Sequence, residues 1–253
     1  LLNDLPLKIF GIGPMFRRER PQKGRYRQFN QINFENFGTE DSFADLELIL
    51  IAMNFINEIL PNNNCILHIN SLGDRKTLEN YKKELSGFLK KNQNDLSLDS
   101  KSKINLNPIR VLDSKIQGDK SIISNAPIIT DYLSNAALEK YENLKKYLTE
   151  SKISFKENFS LVRGLDYYCH TVFEIKSETL GTQDTIIGGG RYDGLIKTLG
   201  GQNLPGVGWA CGVERIMMMM QNIKEEILST HFAILDEKFT NHALKAYKIL
   251  SDN

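Results

Sequence analysis

Six basic side chains crowd the stretch from Arg17 to Arg27, in Phe16-Arg17-Arg18-Glu19-Arg20-Pro21-Gln22-Lys23-Gly24-Arg25-Tyr26-Arg27. A guanidinium is a rigid fork of donors matched to a phosphate, so several on one hairpin can hold a polyphosphate or an RNA end. An isolated basic hairpin is more often a solvated charged surface. Two further segments combine the same kinds of groups: Leu161-Val162-Arg163-Gly164-Leu165-Asp166-Tyr167-Tyr168 and Gly188-Gly189-Gly190-Arg191-Tyr192-Asp193-Gly194-Leu195. Three glycines alone often mark only a tight turn. No Gly-Lys-Ser/Thr follows them, so they are not a P-loop, and Gly206-x-Gly208-x-x-x-Gly212 misses the dinucleotide fingerprint by one residue. Cys65-x-x-His68 has no second pair, and the three cysteines support neither a disulfide framework nor a Cys-x-x-Cys zinc site.

The elements that must position these groups follow from periodicity. Residues 14–37 read as two strands around the turn Pro21-Gln22-Lys23-Gly24. Alternation puts Arg25, Arg27, Phe29, Gln31, Asn33, Glu35 and Phe37 on one face of the second strand. Such a face suits the floor of a polar cup better than a core wall. Ser42-x-x-Asp45 reads as a capping box opening a helix to Leu60. Strands are expected at Cys65–Ser71, Ser160–Gly164, Thr171–Lys176, Thr185–Gly188 and Gly206–Ala210. A helix is expected from near Gly212 into Met217–Met220, with the methionines on a buried face. Residues 75–157 are richer in Lys, Asn and Ser, with helical runs near 76–91 and 128–149, and read as a helical insertion with a small core of its own. A final strand (His231–Leu235) and helix (Asn241–Leu250) open a βα unit.

The order of the residues decides between the two readings of the basic hairpin. Phe-Arg-x-Glu, a turn, then Arg-x-x-x-Phe-x-Gln-x-x-x-Glu resembles motif 2 of class II aminoacyl-tRNA synthetases in its histidyl form. The segments from Leu161 and from Gly188 resemble the two histidine-specific motifs of histidyl-tRNA synthetases, and Gly208-Trp209-Ala210-Cys211-Gly212-Val213-Glu214-Arg215 resembles motif 3. Four motifs in the family's order cover nearly the whole chain. The resemblance implies an α+β fold, an antiparallel sheet flanked by helices with a helical insertion domain. It implies a catalytic core in residues 1–74 and 158–226, the insertion at 75–157, and the start of an anticodon-binding βα domain at 227–253. It implies a histidine–tRNA ligase that forms histidyl-adenylate and pyrophosphate from histidine and ATP, then charges tRNA(His).

The resemblance also implies roles. Arg17 contacts the α-phosphate and Arg215 the γ-phosphate end, while Glu19 and Arg25 seat the adenine and triphosphate. Gln31 holds the α-amino group. Glu35 and Tyr168 bond the two imidazole nitrogens, Tyr192 lines the pocket, and Arg163 lies between substrate carboxylate and α-phosphate. Arg17 and Arg163 form the catalytic clamp. Arg20, Gln22 and Lys23 approach the tRNA acceptor stem. No metal is held by the protein itself: Mg²⁺ is expected with the ATP phosphates. Glu214 is expected to be structural, and nothing in the motifs asks for His170.

The bulk properties set limits. With 32 Lys and Arg against 31 Asp and Glu, the net charge of +1 excludes a whole-chain electrostatic case for nucleic-acid binding. No apolar run is long enough to span a membrane, and a cytoplasmic protein is expected. The dimer-forming motif 1 and the amino-acid loop are expected before residue 1. The parent is then a homodimer, while the chain itself binds substrates poorly and dimerises poorly. The rival reading is a non-catalytic relative that regulates or senses tRNA. Such relatives commonly lose the catalytic arginines, which are present here.

Overall fold

The computed structural model describes residues 4–18, 21, 24–61, 64–177, 184–220, 233–234 and 236–251. The chain divides into two compact units, Leu1–Met220 and Gln221–Asn253.

In the first unit β1 (Leu7–Phe16) pairs antiparallel with β2 (Gln28–Phe37), Pro14 opposite Asn30 and Gly11 opposite Asn33. β1 begins well before the expected strand, because pairing with β2 carries it through Gly11 and Gly13, which no alternation marks. β3 (Cys65–Ser71), β4 (Phe155–Glu157), β5 (Cys169–Ser177), β6 (Thr185–Arg191) and β7 (Gly206–Gly212) complete a seven-stranded sheet in the order β1-β2-β7-β6-β5-β3-β4. Every neighbouring pair is antiparallel except β3 and β4. The expected α+β architecture around an antiparallel sheet is therefore present.

Strand alternation assigns the two faces. Leu67, Ile69, Phe173, Ile175, Val207 and Trp209 are buried beneath α1 (Ser42–Ile59) and α5 (Asn135–Glu150), with Ile49, Ala52, Leu144 and Leu148 opposing them. Each such large side chain contributes about 1.5–3 kcal/mol by burial. Trp209 Nε1 donates to Leu48 O at 3.0 Å, which satisfies the indole's polar atom inside this layer. On the other face, α2 (Arg75–Lys91), α3 (Leu98–Lys103) and α4 (Gln117–Ile123) gather a second cluster around Tyr81, Leu85, Leu89 and Val111. That cluster also takes in Leu72, Leu161, Val162 and Val172 from the sheet side. The 75–157 segment thus divides its burial, α5 on one face of the sheet and α2–α4 on the other.

Three local expectations are corrected. Ser160–Gly164 is not a strand: β4 leaves the sheet after three residues, and Leu161 N donates back to Asn158 O in a turn. Asn70 Nδ2 holds the segment through Leu161 O at 3.0 Å while Leu161 and Val162 are buried in the second cluster. The cap of α1 is Asp41, whose carboxylate accepts from Phe43 N at 2.7 Å. Ser42 donates instead to Lys140 O, and Asp45 is engaged by Arg191, because a buried guanidinium needs a carboxylate more than a solvated helix end does. After the single turn α6 (Leu195–Thr198), α7 (Val213–Met219) buries only Ile216 and Met219, and Met217 and Met218 are exposed.

The second unit, described by itself, carries α8 (Thr240–Ser251), close to the expected helix, after a short turn at Glu237–Phe239. The expected strand at His231–Leu235 lies largely outside the described residues. No described helix is long and apolar enough to cross a membrane.

Candidate active site

The sheet face left open by α2–α4 carries two adjoining cavities. The first, of about 400 Å³, is lined by Arg17, Arg25, Arg163 and Arg215 together with carboxylates. Arg17 leaves the end of β1 with its Nε donating to Tyr26 O at 2.8 Å and its guanidinium 4.2 Å above the Phe29 ring. Arg215, in the first turn of α7, donates from Nε to Gly24 O at 2.9 Å and from Nη1 to Thr185 O. These bonds fix the forks before any ligand arrives.

Burial and then Arg25 push the Arg17 pKa down, and burial followed by Arg17 and Arg25 does the same to Arg215. Both stay charged at neutral pH, since arginine does not deprotonate in proteins. Like charges held together and partly desolvated make a site suited to a polyanion. Glu214, beside Arg215, lines the cavity and accepts through Oε1 from Asn30 N at 2.7 Å and Nδ2 at 3.1 Å.

Arg163 enters the basic cavity from the 158–168 loop. It pairs with Glu174 at 2.7 Å, and its guanidinium lies 5.5 Å from the Tyr168 ring centre. It lies flat on the sheet because residue 188 is glycine: a Cβ there would stand 2.6 Å from Arg163 Nη1. Residue 208 answers in the same way to Glu35, whose Oε2 would be 1.6 Å from an added Cβ. Part of the glycine pattern therefore exists to seat two charged side chains against the backbone.

The second cavity, of about 350 Å³, is lined by Gln31, Glu35, Tyr167, Tyr168 and Tyr192. Gln31 and Ala210 border both cavities, so the two adjoin. The Tyr192 hydroxyl donates to Glu35 Oε2. Burial raises the Glu35 pKa above the usual carboxylate range, opposed by hydrogen bonds from Tyr192 and Asn33. The Tyr168 ring stands edge-on to Tyr192 at 6.4 Å. Glu35 is thus joined to Tyr192, and Tyr168 lines the cavity beside Arg163.

All of Arg17, Arg25, Gln31, Glu35, Arg163, Tyr168, Tyr192 and Arg215 border these two spaces. Glu19, Arg20, Gln22 and Lys23 lie outside the described residues. His170 borders neither cavity. Sequence reasoning did not single out Glu174, which pairs with Arg163, although a carboxylate at an inward position of an apolar strand is a visible signal. It also missed Lys115 and Asp113, which reach the basic cavity from the loop before α4 and pair at 3.1 Å. No local pattern announces them. Nor was the buried pair of Arg191 with Asp45 expected, at 2.5 Å and 1% exposure on both sides.

Comparison with known proteins agrees with the geometry. A family model described as histidyl-tRNA synthetase matches residues 1–216. The histidine–tRNA ligase of Wolbachia pipientis wMel is 48% identical over 239 residues, 94% of this chain and 59% of the relative. That of Ehrlichia chaffeensis is 42% identical over 97% of this chain and 60% of its own length. Apo histidyl-tRNA synthetase of S. aureus superposes with a TM-score of 0.74 at 30% identity, covering 100% of this chain and 62% of that one. An ATP phosphoribosyltransferase regulatory subunit/histidyl-tRNA synthetase from Bacillus halodurans shares the fold at 18% identity, TM-score 0.58. The chain spans about six-tenths of the length of these relatives.

Proposed function

The chain belongs to the histidyl-tRNA synthetase family, and we propose that it carries the core of a histidine–tRNA ligase that activates L-histidine with ATP and charges tRNA(His). The observation that supports this best is the meeting of the two cavities at Gln31 and Ala210. A cluster of cations suited to a polyphosphate opens there into a pocket of tyrosines and one half-buried carboxylate.

In this reading ATP lies in the basic cavity, with Arg17 at the α-phosphate, Arg215 at the γ-phosphate end, and Arg25 and Glu19 at the triphosphate and adenine. Histidine fills the second cavity, its α-amino group on Gln31 and its imidazole between Glu35, Tyr168 and Tyr192. The histidine carboxylate attacks the α-phosphorus in line. The new C–O–P link forms as the bond to pyrophosphate breaks. Two anions must approach each other, so Arg163 and Arg17, fixed on opposite sides, lower the barrier by holding developing negative charge. An imidazole has a nitrogen at each end. A pocket that pairs both rejects side chains that would leave Glu35 unpaired.

Asp184 and Glu214 line the cavity and are oxygen donors of the kind Mg²⁺ accepts beside substrate phosphates. When bound, Mg²⁺ neutralises phosphate charge. Arg20, Gln22 and Lys23 are assigned to the acceptor stem, residues 75–157 to an insertion domain, and 227–253 to the start of an anticodon-binding domain. The enzyme is assigned to the cytoplasm as a homodimer.

Histidine-dependent ATP–pyrophosphate exchange tests the reading, measured on a full-length form that carries the segments its relatives have outside the match. Exchange that requires histidine supports it. A protein that binds tRNA without any exchange would instead be the regulatory or sensing relative, for which the retained Arg17, Arg163 and Arg215 have no use.

A further inference from the structure

One cluster of ligating groups takes no part in either cavity. Cys169, His170 and Asp193 each offer one ligand atom, and the three atoms lie within 4.8 Å of one another. Two backbone features bring them together. His170 has φ 46°, in the left-handed region that residues other than glycine adopt uncommonly. The register of β5 on β6 also shifts between Cys169 and Val172. Strict alternation would send neighbouring side chains to opposite faces, and this irregularity breaks it. The turn is held by His170 N donating to Gly73 O and by Leu72 N donating to His170 O, both at 2.7 Å. Backbone strain of this kind persists where surrounding structure enforces it, and it concentrates at functional places.

The third group arrives from beyond β6. Arg191 Nη1 at 3.3 Å and Gly206 N at 3.0 Å both donate to Asp193 Oδ1, which orients the carboxylate and leaves Oδ2 for another partner. Arg191 is itself matched by Asp45, so its charge is not left facing the cluster unbalanced. His170 Nδ1 is buried and has no hydrogen-bond partner among the described residues. A desolvated imidazole nitrogen without a partner costs free energy that a ligand would recover.

We propose that Cys169, His170 and Asp193 form a binding site for a thiophilic divalent transition cation, Zn²⁺ in particular. Thiolate, imidazole and carboxylate are the three donor types that Zn²⁺ takes, whereas Mg²⁺ and Ca²⁺ do not take a thiol. Bond lengths of about 2.0–2.3 Å place tetrahedral donors roughly 3–4 Å apart, so side-chain rotation closes the cluster. On binding, the Cys169 S–H bond breaks, its proton goes to solvent, and the sulfur pair forms the metal bond. Thiolate and carboxylate then balance the dication, and a fourth position stays open to water. Cys169 follows Tyr168 and Asp193 follows Tyr192, so a bound ion would pin two walls of the aromatic cavity.

Titration of the reduced chain with Co²⁺ tests this. One equivalent is expected to raise a thiolate-to-cobalt charge-transfer band and intense tetrahedral ligand-field bands, which Zn²⁺ abolishes by displacement. Cys169→Ser should lose the charge-transfer band, and Cys65→Ser should keep it. His170→Asn tolerates the left-handed backbone while removing the imidazole, and should weaken Co²⁺ binding by on the order of tenfold or more. Absence of the band at excess Co²⁺, or its survival in Cys169→Ser, overturns the proposal. If either variant fails to fold, X-ray absorption on the zinc-loaded unsubstituted chain decides: one sulfur in the shell supports the site, and a shell of oxygen and nitrogen alone refutes it.

Discussion

Arg163 lines the basic cavity while paired at 2.7 Å with Glu174, so it is held in place rather than free to search. An arginine fixed against developing charge supplies a few kcal/mol in the transition state. Arg163→Ala in the full-length enzyme should therefore lower kcat for adenylate formation by on the order of a hundredfold, with ATP binding little changed. Unchanged kcat with a raised histidine KM would mean the residue only binds carboxylate. Glu35 gives a second prediction at this scale. Burial raises its folded pKa, so its neutral form favours the fold, and that contribution is complete below the ordinary glutamate range and lost as pH rises through the raised value. Glu35→Gln should thus melt higher than the parent at neutral pH, lose that advantage in acid, and bind histidine far more weakly. A lower Tm at neutral pH would show that the Tyr192 bond outweighs desolvation.

Among elements, β6 is tied to the loop before α1 by one buried guanidinium. Arg191 donates to Asp45 and also to Thr39 O at 2.8 Å and Asp41 O at 3.2 Å. Removing one partner of a buried pair strands the other charge. Asp45→Ala should accordingly cost about 3–5 kcal/mol in urea unfolding. A cost under about 1 kcal/mol would show that water enters and rescues Arg191. The helices of the second cluster hang on Asp119 in the same way. Burial works against its charge, but Ser100, Ser114 and Ser97 all donate to it and hold its pKa at about 2. A lowered pKa stabilises above the ordinary value of 3.8 and is lost as pH falls toward about 2. Amide exchange in α3 and α4 should therefore speed up across that window, and Asp119→Asn should remove the pH dependence.

For the whole molecule, β1 is a terminal strand of the sheet and exposes Phe10, Ile12 and Phe16, with 68–74% of their surface accessible. Unpaired strand edges with apolar side chains associate without forming one closed assembly. Light scattering on the chain at several concentrations should show a monomer or irregular growth. A compact dimer that survives dilution would place a complete interface within these residues.

Much of this was legible in order and period alone. The span of β3 was read from its residues, the placements of β2, α1 and α2 came out to within a few residues, and the described residues singled out in the four motifs border the two cavities. These features are local: alternation and helical spacing act within a few residues, and a motif is a fixed run of side chains. The tertiary structure decided the rest, because its causes are remote in sequence. Asp45 reads as a cap residue until Arg191, far along the chain, arrives from β6. Gly188 and Gly208 read as plain strand residues until Arg163 and Glu35 are laid over them. Lys115 and Asp113 reach the basic cavity only because α2–α4 pack on that face of the sheet, and Cys169 meets His170 only through a broken register. A desolvated charge or an added Cβ has consequences only where chain segments meet, and that meeting is set by the packing of the whole sheet.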